Sequence, residues 1–173
     1  MNIVLIGYRG SGKSSVSRVL SKRLKRKVMS IDKLIVKQEG KSIPAIVRDQ
    51  GWPYFRQVES RIVEKTAQTL KNGIIDCGGG VPLDKNNVMH LKESGKCVLL
   101  KANLEIILQR TEKDSNRPAL KNGMSFEEEQ RQVIEEREAI YKDMADLVCD
   151  TSFCSPDDTV RTIISHFRKR SWI

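Results

Sequence analysis

Aromatic residues are scarce in this chain. Four Phe, three Tyr and two Trp make up 5% of 173 residues, so the core has to be assembled from Leu, Ile, Val and Ala. No run of about 18 apolar residues occurs, which excludes a membrane-spanning helix. No basic residue precedes the short apolar stretch at the N-terminus and no small-residue cleavage site follows it, so a secretory signal is not expected. The two histidines, His90 and His166, lie far apart. The four cysteines, Cys77, Cys97, Cys149 and Cys154, form no Cys-x-x-Cys pair. A zinc site or disulfide framework is therefore not expected. Small buried thiols in a reducing cytoplasm account for this pattern. There is no internal repeat, linker or low-complexity segment, and residues 1–173 are expected to form a single domain.

Lys and Arg number 31 against 22 Asp and Glu, a net charge of +9. Two basic clusters stand out, Lys22–Lys27 (KRLKRK) and Arg168–Arg170 (RKR). Both fall near the ends of expected helices, where cations complement the helix dipole. They have no interleaved aromatics and no nucleic-acid motif, so neither a nucleic-acid nor a membrane partner is expected.

Apolar runs and helical periodicities alternate, the pattern of a parallel sheet covered by helices on both faces. Strands are expected at 2–7, 28–31, 73–77, 96–101 and 147–150. Helices are expected at 13–24, 55–70, 86–93, 104–110, 125–141 and 157–167, with a mixed stretch over 33–47 broken at Gly40 and Pro44. Ser125 with Glu128 three residues on is a capping-box pattern. Residues 111–124 show no periodicity and are rich in charge, Asn, Pro and Gly, so they read as a mobile loop.

The strongest motif lies at the first strand–helix junction. Gly7-Tyr8-Arg9-Gly10-Ser11-Gly12-Lys13-Ser14 matches G-x-x-x-x-G-K-[ST] in full. Glycines let the backbone curl its N–H groups onto a phosphate, and the helix N-terminus adds its positive dipole end. The candidate ATP-binding residues are therefore Gly10, Ser11, Gly12, Lys13, Ser14 and Ser15. Lys13 reaches the β- and γ-phosphates and the Ser14 hydroxyl is the Mg²⁺ ligand. The guanine motif Asn-Lys-x-Asp is absent, which sets aside the common GTPases. The chain's length and its late charged loop favour a small-molecule kinase.

Further along come Asp32, then Gly40-Lys41-Ser42-Ile43, Phe55-Arg56 and Glu59. Gly78-Gly79-Gly80 follow a strand, Arg117-Pro118 lie in the loop, and Glu136-Arg137 and Tyr141 come last. In this order and spacing the chain resembles the shikimate kinase family over nearly its whole length. The resemblance implies a three-layer α/β P-loop kinase fold with a five-stranded parallel sheet in the order 2-3-1-4-5. It implies ATP- and Mg²⁺-dependent phosphorylation of the shikimate 3-hydroxyl, a step towards chorismate and the aromatic amino acids, by a cytoplasmic monomer. The substrate site would comprise Asp32, Arg56, Gly78, Gly79, Gly80 and Arg137, within a region of about 32–60 and the later motifs. The two guanidinium forks would take the carboxylate, and Glu59 would orient Arg56. Asp32 would receive the reacting hydroxyl. The loop over 111–124 would be the lid, from which Arg117 would stabilise charge on the transferring phosphoryl group, and Arg110 and Pro156 would pack the adenine ring.

The family usually has Asp-x-Asp at the end of the second strand, whereas this chain has Ser30-Ile31-Asp32. Ser30 can bond a metal-bound water but adds no charge, so a two-carboxylate metal site is not expected. Two other readings stay open: a related kinase for another hydroxy acid such as gluconate, and a nucleotide-binding regulator that has lost catalysis.

Overall fold

The structure, a computed structural model, describes residues 1–112 and 124–173. Five strands form one sheet: β1 (Asn2–Ile6), β2 (Val28–Ser30), β3 (Ile74–Asp76), β4 (Gly95–Lys101) and β5 (Leu147–Asp150). Their order is β2-β3-β1-β4-β5 and every pairing is parallel. Among the described residues seven α-helices accompany them: α1 (Lys13–Leu24), α2 (Ile31–Glu39), α3 (Ile43–Thr69), α4 (Lys85–Ser94), α5 (Leu104–Thr111), α6 (Phe126–Met144) and α7 (Pro156–Lys169).

The central strands are buried on both faces, which explains their near-continuous apolar sequence. Alternation along β1 divides the core. Val4 and Ile6 point into one cluster, with Ile35 of α2, Val58 and Ile62 of α3, Leu91 of α4 and Tyr141 of α6. Ile3 and Leu5 point into the other, with Val16 and Leu20 of α1 and Val160, Ile163 and Phe167 of α7. All five strands run the same way, so their C-terminal ends meet along one edge. In open parallel sheets ligands bind at that edge, beside the strand where the winding reverses; here that strand is β1.

Two expected boundaries shift. Ile31 is not the end of the second strand but the first residue of α2, with Ser30 in the N-cap position. The helix expected from Phe55 starts at Ile43, capped by the Ser42 side chain, which accepts from the Ala45 N–H. Pro44 sits in its first turn, where a missing N–H leaves nothing unpaired. The break falls later, at Gly51 (φ 81, ψ 167), a conformation open in practice only to glycine. Gly40 does end a helix, as the left-handed cap of α2.

Candidate active site

The loop between β1 and α1 carries the phosphate motif. Gly10 and Gly12 have φ of 76 and 89. A Cβ on Gly10 would lie 2.9 Å from Thr111 and 3.2 Å from the Ile107 carbonyl, so a side chain fits neither the space nor the backbone. Helix α1 has no acidic residue in its first turn, and among the described residues no side chain caps it. Its N-terminus is therefore left for an external anion. Lys13 folds over the loop, donating from Nζ to the carbonyls of Gly7 (2.8 Å) and Tyr8 (2.7 Å).

Arg110 on α5 is tied down behind the loop. It donates to the Gly10 carbonyl (3.2 Å) and to both the hydroxyl (3.1 Å) and carbonyl (2.7 Å) of Thr151. Thr151 in turn donates to the Ser11 carbonyl at 3.0 Å. Arg110, Thr151 and Pro156 close one end of a cavity of about 540 Å³, whose other walls include Gly10, Lys13, Ser14, Ser15, Ser30, Asp32 and Asp76. This space suits an elongated, polyanionic ligand such as a nucleotide.

Asp76, the last residue of β3, is buried, and its Oδ2 accepts from the Ser14 hydroxyl at 3.0 Å. Burial pushes its carboxyl up from the usual range, against the pull of nearby Lys13 and the Ser14 hydrogen bond. Ser30 is its register partner on β2. Asp32, in the first turn of α2, packs over Gly78: a Cβ there would lie 2.7 Å from Asp32 Oδ1 and 3.1 Å from Glu59 Oε1. Among the described residues, no three His, Cys, Asp or Glu side chains converge to hold a metal by themselves. Ser14, Asp76 and Asp32 fit Mg²⁺ instead as oxygen groups beside phosphate, the usual mode for that ion.

A second, narrower pocket lies against the first, lined by Arg56, Glu59, Gly79, Gly80, Arg137 and Tyr141; Arg9 borders both. Arg56 is held on three sides. Its guanidinium lies over the rings of Trp52 (5.3 Å) and Phe55 (5.2 Å), donates to Glu59 Oε2 at 2.6 Å, and packs directly on Gly80. Glu59 is buried, and desolvation raises its carboxyl more than Arg56 lowers it. Arg137 donates to the Gly79 carbonyl at 3.1 Å, and the buried Tyr141 hydroxyl donates to the same oxygen. Burial pushes that phenol up to about 12, so it stays a donor. The pocket thus presents three cations, Arg9, Arg56 and Arg137, beside Glu59, Glu129 and an apolar wall that includes Ile43, Phe55 and Val133. That arrangement suits a small carboxylic acid, set against a phosphate-binding loop.

A sequence profile for shikimate kinase matches residues 9–168. The chain belongs to the shikimate kinase family. A curated shikimate kinase of Persephonella marina is 36% identical over 167 residues, covering 96% of this chain and 99% of the relative. One of Pelotomaculum thermopropionicum is 38% identical, covering 99% and 98%. The solved shikimate kinase of Acinetobacter baumannii in complex with shikimate superimposes with a TM-score of 0.92 at 30% identity, covering 98% of this chain and 93% of that one. The sheet order implied by the family is the order found.

The candidate residues gather as two neighbouring groups. Gly10, Gly12, Lys13, Ser14, Ser15, Asp32, Arg110 and Pro156 line the larger cavity. Ser11, fully buried, props the loop from behind. Arg56, Gly79, Gly80 and Arg137 line the smaller one, and Gly78 joins them through Asp32 and Glu59. Arg117, and most of the expected lid over 111–124, lie outside the described residues. Sequence reasoning missed Asp76, the Trp52 platform under Arg56, and Thr151. Asp76 is a second carboxylate, besides Asp32, in the wall of the larger cavity. The signal available for it was an acid closing an apolar strand just before three glycines.

Proposed function

We propose that the protein transfers the γ-phosphoryl group of ATP to the 3-hydroxyl of shikimate, giving shikimate 3-phosphate and ADP. The observation that carries this reading is a phosphate-loop cavity and an arginine-lined pocket that share Arg9 as a wall, in a chain that belongs to this family over nearly its full length. The relative solved with shikimate supports the choice of acid.

In this reading Lys13 exchanges its loop carbonyls for phosphate oxygens, and the open N-terminus of α1 takes the remaining charge. Arg110 and Pro156 flank the base. Arg56 and Arg137 receive the carboxylate of the acid, which fixes the ring and presents one hydroxyl to the neighbouring cavity. Asp32, in the wall of the larger cavity and held against Gly78, accepts the hydrogen of the reacting hydroxyl. Mg²⁺, when bound at Ser14, neutralises the β- and γ-phosphates. Arg117, assigned by resemblance, adds charge to the transferring group. In a loose transition state such positioning matters more than the strength of the base.

The test is ADP release from ATP and Mg²⁺ against a panel of hydroxy acids including gluconate. Turnover with shikimate is expected, as is its loss in a folded Lys13→Ala variant. Preference for gluconate, or an active Lys13→Ala protein, overturns the assignment. We further infer a cytoplasmic monomer without nucleic-acid or membrane partners. The buried thiols of Cys77, Cys97 and Cys149 support a reducing compartment, and light scattering tests the oligomeric state.

A further inference from the structure

Tyr8 occupies one of the unspecified positions of the phosphate-loop motif, and so far only its backbone carbonyl has a part, accepting from Lys13 Nζ. The motif holds phosphate through backbone N–H groups and its lysine, so it makes no demand on the Tyr8 side chain. That side chain is nevertheless large and only 4% exposed. Among the described residues it lines the acid pocket and not the nucleotide cavity.

The contacts of the ring show what it holds. It meets Tyr141 edge-on, with centroids 4.8 Å apart and planes at 88°, a favoured geometry for an aromatic pair. Its hydroxyl donates to the Ile134 carbonyl of α6 at 3.4 Å, a weak bond at that length. Burial, with Tyr141 adding to it, raises the phenol, so it remains a donor. Tyr141 donates its own hydroxyl to the Gly79 carbonyl, the oxygen that also accepts from Arg137. Gly79 in turn sits against the loop. A Cβ there would lie 3.7 Å from the Gly7 carbonyl oxygen, 3.8 Å from the Arg9 nitrogen and 3.9 Å from the Tyr141 hydroxyl. The loop backbone and the Tyr8–Tyr141 pair thus converge on one glycine of the acid pocket. Tyr8 also borders a further cavity of about 320 Å³, which Leu99, Leu104 and Ile134 help to line. A smaller side chain at position 8 would leave Tyr141 facing open space.

We infer that Tyr8 is a positioning residue for the acid: its ring fixes Tyr141, and through Tyr141 the Gly79 carbonyl and Arg137, so that a residue inside the phosphate-loop motif governs the pocket for the carboxylic acid. Its side chain leaves the phosphate contacts to the loop backbone and Lys13. This rests on the proposed reading of the acid pocket.

The test separates the two substrates. KM and kcat for shikimate and for ATP would be measured for Tyr8→Phe and Tyr8→Leu, each alone and combined with Tyr141→Phe. Tyr8→Leu stays apolar but loses the ring. It should raise the KM for shikimate about 2- to 12-fold, the strength of one edge-to-face pair, and leave the KM for ATP nearly unchanged. Tyr8→Phe, which keeps the ring, should behave as the wild type. Tyr141→Phe removes the hydroxyl through which Tyr8 acts, so adding Tyr8→Leu to it should raise the KM for the acid little further, the non-additivity of residues in one network. Equal rises in the KM for ATP and for shikimate overturn the inference, because the ring would then only support the loop. So does a Tyr8→Phe enzyme as impaired as Tyr8→Leu, or a full additional loss in the double variant. Should Tyr8→Leu fail to fold, Tyr8→Met, longer and more adaptable, is read by the same criteria. Wild-type turnover is recorded first. An enzyme idle on shikimate and active on gluconate sinks the substrate assignment alone, and the same variants are then read with gluconate.

Discussion

Arg56 shows how much of the acid pocket rests on contacts that leave the charge itself free to work. Two rings and one buried carboxylate fix the guanidinium, and Gly80 leaves the room it occupies. A Cβ at Gly80 would lie 2.0 Å from Nη1 and 2.3 Å from Nη2. Gly80→Ala should therefore displace the guanidinium and not the backbone, since the clashing atoms end a flexible side chain. We expect Gly80→Ala, Arg56→Ala and Arg137→Ala each to raise the KM for shikimate about 10- to 150-fold. That range corresponds to the roughly 1.5–3 kcal/mol of a hydrogen bond to a charged group. The KM for ATP should change little. A Gly80→Ala enzyme with a normal KM for the acid would show that Arg56 does not hold the carboxylate.

Glu59 gives a pH dependence at the same scale. Its folded carboxyl is raised above the ordinary glutamate value, chiefly by burial, with Arg56 pulling the other way. The folded state therefore holds this proton more tightly than the unfolded chain does. The stability this contributes is present below the ordinary glutamate range and is lost as pH rises through the raised value. Glu59→Gln removes that loss, so the variant should gain stability relative to the wild type as pH increases from about 4 to about 8. Its KM for shikimate should rise because Arg56 loses its partner. Melting curves of both proteins across that interval check the sign, and a gap that narrows towards neutral pH would mean that the Arg56 pairing outweighs burial.

At the level of elements, legibility followed locality. The phosphate loop, the Ser125 capping box and the alternation of strands with helices depend on residues within a few positions of one another. Each was readable, and the capping box is present as expected. The start of α3 was misplaced because Gly51 and Pro53 look like a boundary, while Ser42 and Pro44 look like a loop. In fact Ser42 and Pro44 open the helix and Gly51 kinks it. Asp76 was missed for a different reason. Its partners are Ser14, 62 positions away in sequence, and Ser30, across a strand pairing that no local pattern announces. The kink at Gly51 sets Trp52 under Arg56, so it links element geometry to the site. Gly51→Ala has room for its methyl, the nearest atom being Pro53 Cδ at 3.5 Å, but not the backbone freedom. It should cost about 1–3 kcal/mol, seen as a lower denaturation midpoint. Unchanged stability would mean that the kink relaxes into regular helix, and the acid KM would then report where Trp52 has gone.

Over the whole molecule, both ligands are anions and the protein carries a net charge of +9. The nucleotide phosphates carry several negative charges and the acid a single carboxylate. The long-range field should therefore speed capture of both, the nucleotide more strongly. Contacts inside the cavities are partly shielded from salt, whereas the field of surface cations is screened beyond a Debye length, about 10 Å at 0.1 M ionic strength. The clusters Lys22–Lys27 and Arg168–Arg170 lie at the C-terminal ends of α1 and α7, away from the phosphate loop at the other end of α1, so they contribute field and not contact. Raising ionic strength from about 0.02 M to about 0.3 M should lower kcat/KM for ATP more steeply than kcat/KM for shikimate, and leave kcat nearly constant. Replacing Lys22 and Lys25, for which no ion pair is seen among the described residues, by Gln should flatten the ATP slope without changing kcat at saturation. A salt dependence that falls mainly on kcat, or an ATP slope no steeper than that for the acid, would show that the local contacts of Lys13 and the helix N-terminus do all the electrostatic work and that the basic clusters serve something else.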